Sequence, residues 1–488
     1  MKKNTAIGLI LILLVWWIIA VLNNNQLLIP FPQKVFLEMV KLFKDLNFYG
    51  DLLNTFLKII VGFFISVFIG IPIGIISGLS KSFFEIFRPF LMLIQSSPVV
   101  SYIAIAMLWF GIGFYTPVFV AFMVIFPVVV LNISEGIRST DKKLLEMAKV
   151  FNLDKKNILL KIYFPSLIPF LKSTLNMISG SLWKSVVVGE FLAGDRGLGV
   201  SLSFSKIALN TDRVFAYTIL LAILGMISEK MLKGISSKNL RREKEIKNKI
   251  IKSSKKVNRI SEDIIIKSLN KKFDDNVILS GFDIAFKSGK INVLLGESGI
   301  GKTTILNILS GIVGKDNGEI YINGKIGYIF QDDRLVPWLN VYENIKLVNE
   351  DINLNEIIKY LNLLNLEKDI LTKYPDELSG GMKKRVNILR AIAYNPDIIL
   401  MDEAFASLDI SNKYKIIKEF INIQKKEKFT VIMVTHDPFE VSNLGENVFL
   451  LEGKPLKIKK KFKFKNVFER NIEYNHTILY EINKILLD

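Results

Sequence analysis

The run INVLLGESGIGKTTILNILSGI occupies residues 291–312. Its first five residues read as a buried strand, GESGIGKT as a glycine-spaced loop, and ILNILSGI as an apolar helical stretch. This is the G-x-x-x-x-G-K-T spacing in the order strand, loop, helix. The glycines let backbone N–H groups curl around phosphate oxygens, and the helix N-terminus adds its partial positive charge. The candidate nucleotide contacts are therefore Gly296, Glu297, Ser298, Gly299, Ile300, Gly301, Lys302, Thr303 and Thr304. Lys302 suits the β- and γ-phosphates and the Thr303 hydroxyl suits Mg²⁺.

A second apolar strand, residues 398–401, ends in Asp402 and Glu403. An acidic residue at a strand end near the phosphates can hold Mg²⁺, and a second carboxylate can orient or deprotonate an attacking water. These two motifs fix nucleotide binding, but they leave kinase, GTPase and nuclease chemistry open.

Composition bounds the rest. The chain has 488 residues, half of them hydrophobic, no cysteine and only two histidines, His436 and His476. Disulfides, thiolate nucleophiles, iron–sulfur clusters, Cys-based zinc sites and multi-His metal sites are excluded. The net charge of +18 divides unevenly: +9 over residues 1–232, +9 over 233–260, and zero over 261–488. A positive excess beside apolar segments fits the positive-inside rule and anionic lipid, so no nucleic acid is expected as a partner.

Apolar runs near 6–22, 56–79, 89–110, 115–133, 168–192 and 214–232 are each long enough to cross a membrane. Six spans bring both termini to the cytoplasm, with the first run an uncleaved span. The loop 134–165, rich in Lys and Arg, is then cytoplasmic. A small residue at every fourth position of the second run (Gly62, Ser66, Gly70, Gly74, Gly78) lets another helix approach closely, and packing inside one subunit is expected over a subunit interface. Lys184 and Glu190 in the fifth run are pathway candidates, with snorkelling at the interface as the plain alternative. Residues 233–260 read as a basic linker, either a helix on the inner leaflet or a flexible tether.

Between the two nucleotide motifs lies LSGGM, residues 378–382, opening a helix-like stretch. This resembles the L-S-G-G-Q signature of ABC ATPases, with Met382 in place of Gln. The resemblance implies that Ser379, Gly380 and Gly381 close over ATP bound by another ATPase subunit, so that hydrolysis needs a dimer. It also implies roles elsewhere: Gln331 as the Mg²⁺-sensing Q-loop glutamine, Ser407, Leu408 and Asp409 as the D-loop, His436 as the switch histidine, Glu403 as the catalytic base, Asp402 as a metal ligand, and Phe273 stacked on adenine.

Glu146, Met147, Ala148, Asn152 and Ile162 to Pro165 resemble the E-A-A-x₃-G-x₉-I-x-L-P loop of ABC importer permeases, departing at Met147, Asn152 and Phe164. Asn tolerates left-handed backbone, so the turn can survive at Asn152. In that family the loop forms a coupling helix that docks near the Q-loop. Residues 29–232, with Ile71 to Gly74 and Leu108 to Gly113, resemble permeases of nitrate/sulfonate/taurine-type importers. Residues 262–488, with FQDDRLVPW at 330–338, resemble the ATPase of that group.

The expected architecture is thus an all-α six-helix transmembrane permease (1–232), a basic linker (233–260) and an α/β ABC ATPase (261–488). The resemblance implies ATP-driven import of a small solute across the cytoplasmic membrane: a nitrate-, sulfonate- or taurine-like anion, or a related nutrient such as a thiamine-precursor pyrimidine. It further implies a second copy or a similar half-transporter, and an extracellular solute-binding protein. The alternatives are an exporter, which usually lacks the E-A-A loop, and a mechanotransmitting or regulatory ABC protein, which would carry a large external domain.

Overall fold

The computed structural model describes residues 3–23, 25, 27–237, 262–406 and 409–487. They form two compact units, Met1–Thr140 with Tyr163–Leu240 and Asp141–Ile162 with Arg241–Asp488. The loop read as part of the permease thus folds with the ATPase. Most of the linker 233–260, and Ser407 and Leu408, lie outside the described residues.

In chain order the helices before the linker are α1 (Lys3–Asn23), α2 (Pro32–Lys44), α3 (Leu46–Leu79), α4 (Lys81–Ser96), α5 (Val99–Phe110), α6 (Tyr115–Arg138), α7 (Lys142–Val150), the short turn α8 (Lys155–Asn157), α9 (Phe164–Ala193), α10 (Leu198–Ile207) and α11 (Thr211–Ser237). Asp45 and Ser80 start α3 and α4 by accepting hydrogen bonds from the backbone N–H groups of Asn47 and Phe83, which satisfies donors the helix itself leaves free. By length and composition α3, α6, α9 with its lead-in, and α11 each suffice to cross a membrane.

The run 89–110, expected as one straight span, is instead α4 and α5, bent by 98° across Ser97 and Pro98. The cause is local. Proline has no N–H to give and disfavours helical backbone at the residue before it. The direction of crossing follows from packing. Gly62 lies against Val118 and Ala121, Gly70 against Val129, Gly74 against Ile133 and Gly78 against Ile137. Residue numbers rise together, so α3 and α6 run parallel, and the bent pair between them must carry the chain back across once. A methyl group on Gly74 would sit 2.7 Å from Ile133 Cβ, so the small-residue face serves packing within the subunit. α9 runs antiparallel to α6, since Gly136 meets Leu167 and Gly189 meets Pro117.

Between the first two apolar runs lie α2 and the start of α3. This segment also positions a buried polar knot. Lys58 and Glu190, both buried, pair at 3.1 Å. The Thr55 hydroxyl donates to Glu190 Oε2 at 2.9 Å and the Gly199 N–H donates to it at 3.0 Å. Lys58 also donates to the Arg196 carbonyl at 2.5 Å. Glu190 ties α3 to the turn between α9 and α10. Lys184 is exposed.

The second unit begins with β1 (Ile264–Phe273), β2 (Asn276–Phe286) and β3 (Ile291–Leu295), then α12 (Lys302–Leu309), β4 (Asn317–Tyr321), β5 (Ile326–Ile329), α13 (Val341–Val348), α14 (Leu354–Leu363) and α15 (Gly380–Ala393). It ends with β6 (Ile398–Asp402), α16 (Ile410–Glu427), β7 (Thr430–Thr435), α17 (Pro438–Leu444), β8 (Asn447–Glu452), β9 (Lys457–Lys463) and α18 (Ile472–Leu487). One sheet has the order β5-β6-β7-β3-β8-β9, parallel except for β9, and an antiparallel sheet has the order β2-β1-β4. β3, β6 and β7 are buried throughout, which is why they read as unbroken apolar runs. Met147, Ala148, Phe151 and Ile162 of the loop belong to this unit's core.

Candidate functional site

The phosphate-binding loop leaves β3 at its C-terminal edge, where ligands bind in parallel α/β sheets. Gly301, with φ 111°, caps α12. A side chain there would be strained and would meet Ile278 at 2.5 Å. Lys302 folds back on the loop, donating to the carbonyls of Gly296 at 2.7 Å and Glu297 at 2.5 Å. Burial lowers its pKa, opposed by Glu403 and Asp402.

β6 delivers the two carboxylates. The Thr303 hydroxyl donates to Asp402 Oδ1 at 2.9 Å, and burial raises the Asp402 pKa. Glu403 has φ 41°, in the left-handed region, and its carboxylate is bracketed. Gln331 Nε2 donates to Oε2 at 3.2 Å, and His436 Nδ1 lies 3.1 Å from Oε1. Lys302, Thr303, Gln331, Asp402, Glu403 and His436, spread over more than a hundred residues of sequence, therefore converge on one sheet edge. The oxygen donors suit a hard cation. Among the described residues no group of three or more His, Cys, Asp or Glu forms a metal cage. Mg²⁺ does not need one, since it keeps waters and is completed by substrate phosphates.

Other expected residues stand apart. Ser379 caps α15 by accepting from Met382 N at 3.3 Å. Among the described residues no hydrogen bond, ion pair or ring contact joins Ser379, Gly380 or Gly381 to residues 296–304. Phe273 is exposed at the end of β1, with Lys271 Nζ 5.1 Å from its ring centre. Asp409 caps α16, and hydrogen bonds from Asn412 lower its pKa.

The loop carrying Gln331 has two working ends. Beyond Gln331, Arg334 stacks 3.9 Å from the Phe330 ring centre and donates to Glu146 Oε2 of α7 at 2.7 Å. Lys143 pairs with Asp332 at 2.5 Å, and its hydrogen bond holds the Asp332 carboxyl below the usual range. Met147 and Ala148 are fully buried. Asn152 has φ 49°, the left-handed turn expected of it. Phe151 meets Tyr394 edge-on at 5.2 Å, and Trp338 Nε1 donates to the Lys161 carbonyl at 2.8 Å. Pro165, assigned to the same loop by sequence, instead lies in the first turn of α9.

Sequence reasoning missed the residues that hold this loop from behind. Lys384 donates to the Gln331 carbonyl at 2.6 Å and Asn387 to the Phe330 carbonyl at 3.3 Å. Arg390 donates to the carbonyls of Arg334 at 2.6 Å and Asp333 at 2.9 Å. Arg390 is fully buried, which pushes its pKa down to about 9. All three lie on α15, the helix opened by LSGGM. Arg334 itself stood inside the quoted FQDDRLVPW, and its charge beside the glutamine was the available signal.

Residues 279–406 match the family described as ABC transporter. Residues 70–239 match the binding-protein-dependent transport system inner membrane component. The chain is 36% identical over 213 residues to the aliphatic sulfonates import ATP-binding protein SsuB of Bacillus subtilis, covering 40% of this chain and 81% of that protein. It is 34% identical over 218 residues to the spermidine/putrescine import ATP-binding protein PotA of Thermotoga maritima, covering 41% and 59%. A solved dimeric post-hydrolysis ATP-binding cassette bound to ADP and Pi aligns at 28% identity and TM-score 0.38, over 42% of this chain and 99% of that one. The chain therefore belongs to the ABC transporters, as an importer-type membrane permease and its ATP-hydrolysing cassette joined in one polypeptide.

Proposed function

We propose that the chain is a half-transporter whose two copies import a small solute across the cytoplasmic membrane, fed by an extracellular solute-binding protein. The permease is residues 1–232, the linker 233–260 and the ATPase 261–488. The observation that carries this reading is the double attachment of one loop: Gln331 at Glu403 and Arg334 at Glu146. It gives the hydrolytic carboxylate and the importer-type helix α7 a common moving part.

Loop amides of residues 296–301 and Lys302 bind the ATP phosphates, and Phe273 stacks on the base. Thr303, Asp402 and Gln331 hold Mg²⁺, which supplies charge neutralisation at the transferring phosphoryl group. Glu403 orients and deprotonates the attacking water, with His436 and Gln331 fixing its carboxylate. Ser379, Gly380 and Gly381 complete the site from the partner copy, and Asp409 adjoins that contact. Closure of the two ATPases on ATP moves the loop, and Glu146, Ala148 and Asn152 of the coupling segment carry that motion to the spans, with Pro165 at its exit. ATP biases the cycle through its differential affinity for the closed state.

The cargo class is a sulfonate-, nitrate- or taurine-like anion, or a small pyrimidine nutrient. The similarity to a sulfonate-import ATPase supports the first. The test is co-purification from native membranes in mild detergent, followed by ATPase assays of the reconstituted chain with the recovered binding protein. Stimulation by the loaded binding protein, with solute moving from the ATPase-distal side to the ATPase side, is expected. Solute movement in the opposite sense, or ATPase indifferent to any loaded binding protein, overturns import.

A further inference from the structure

The outward faces of the apolar helices differ. α3 turns Phe64, Ile65, Phe68 and Ile69 outward, a face hydrocarbon can cover. α9 turns Ser173, Asn176, Ser181 and Lys184 outward, spaced by three to five residues, with Met177 exposed among them and Val188 and Leu192 beyond. Gly189 lies against Pro117 and Gly136 against Leu167. Lys184 is therefore level with the turn of α6 near Ala121, which packs on Gly62, about two helical turns inside the outer end of the apolar run 56–79. Lys184 has no hydrogen-bond or ion-pair partner among the described residues. The only carboxylate on α9, Glu190, is buried and taken by Lys58.

An unpaired ammonium at that depth is costly against lipid and marks a water-filled route by default. Snorkelling offers a poor escape. Side chains lean toward a helix N-terminus, and α9 starts from the cytoplasmic loop, so Lys184 leans away from the nearer, outer surface. The bend at Ser97 and Pro98 points the same way, because non-helical backbone at membrane depth is tolerated where protein or a wet cavity covers it.

We propose that the Ser173–Lys184 face of α9 lines a water-filled transit path, with Lys184 as its cationic contact for a small anion bearing a strong-acid group. The proposal rests on the import reading and narrows its cargo to the anion. Ser173, Asn176 and Ser181 supply hydroxyl and amide partners for the oxygens that shed water, and a lone lysine without a counter-carboxylate selects by sign.

The absence of cysteine makes any introduced thiol a unique reporter. Ser181→Cys and, as a lipid-face control, Phe68→Cys are made in the full chain in proteoliposomes. Each is reacted with two water-soluble thiosulfonates of similar size, one carrying a sulfonate and one a trimethylammonium, with and without ATP. Ser181→Cys is expected to react and Phe68→Cys to resist. The sulfonate-to-ammonium rate ratio at Ser181→Cys should fall about tenfold when Lys184→Gln is added. A Ser181→Cys thiol closed to both reagents in both states overturns the path, and a ratio indifferent to Lys184→Gln overturns the anion contact. ATPase activity of each variant reports folding. Labelling needs neither solute nor binding protein, so failed import with intact labelling overturns the import reading alone.

Discussion

Helix α7 grips the ATPase unit with an apolar part and an ionic part of different strength. Met147 is fully buried, and truncating such a side chain costs about 2–5 kcal/mol. Glu146 is 40% exposed, although its partner Arg334 is only 16% exposed and the pair is close at 2.7 Å. Removing that carboxylate should cost roughly 1–2 kcal/mol, between an exposed pair and a buried charged hydrogen bond. Converted to the equilibrium between docked and undocked α7, Met147→Ala should shift it by about 30-fold or more, and Glu146→Ala by about 5- to 30-fold. Amide hydrogen exchange over residues 142–150 in the full-length protein reads this equilibrium directly, with peptides from β3 and β7 as unchanged references. Glu146→Ala should leave α7 mostly docked and ATP turnover present, yet weaken its link to transport. If protection falls more for Glu146→Ala than for Met147→Ala, the ionic contact holds the helix and this ordering is wrong.

Glu403→Gln should retain ATP binding and lose turnover by about a hundredfold or more; hydrolysis at the parent rate removes Glu403 as the base. Glu190→Gln leaves the buried Lys58 with only the half-exposed Asp195, 3.6 Å away, as counter-charge and should destabilise the membrane unit by up to about 3–5 kcal/mol, with much of that recovered in Lys58→Met/Glu190→Leu, as read by thermal unfolding in detergent. Hydrogen bonds from Lys143 and Lys161 hold the carboxyls of Asp332 and Glu350 below their ordinary values. Depressed carboxyls stabilise above the unfolded pKa and lose that contribution as pH falls through the folded one. Protection of residues 142–162 should therefore weaken on acidification below about pH 4, where unperturbed carboxylates begin to titrate. An unchanged profile in Lys143→Met/Lys161→Met would assign the loss to other groups.

Local chemistry was legible in the sequence and distant pairing was not. The loop 296–303 announced itself because its glycines, lysine and threonine act within one turn of chain. Asp402 and Glu403 followed because a fully buried strand reads as an apolar run that stops at charge. Asn152 was read correctly as a left-handed position from residue type alone. The bend at Ser97 and Pro98 was written in the proline, but an apolar run of sufficient length masked it. Lys58 gave no sign of being Glu190's partner, since 132 residues separate them and only the α3–α9 packing joins them. The grip of Lys384, Asn387 and Arg390 on residues 330–334 was invisible for another reason. Their partners are main-chain carbonyls, which carry no sequence signature.

That grip sets where the loop yields under load. Each carbonyl contact from Lys384 or Arg390 is a charge-assisted hydrogen bond, and Arg390 has no solvent to turn to if its contacts break. Leaving a buried guanidinium unpaired is among the costlier single changes a fold can make. Residues 330–334 should therefore move with α15 as one body. Glu146, partly exposed, can exchange Arg334 for water at little cost. If the proposed closure over ATP shifts α15, the contact expected to give first is the one at α7, while the apolar seat of Met147 and Phe151 keeps the helix engaged. A coupling element of this kind transmits displacement through packing and tunes it through a replaceable ion pair. Substitutions at Glu146 should then change how tightly ATP turnover is tied to solute movement, and substitutions at Arg390 should disable both together.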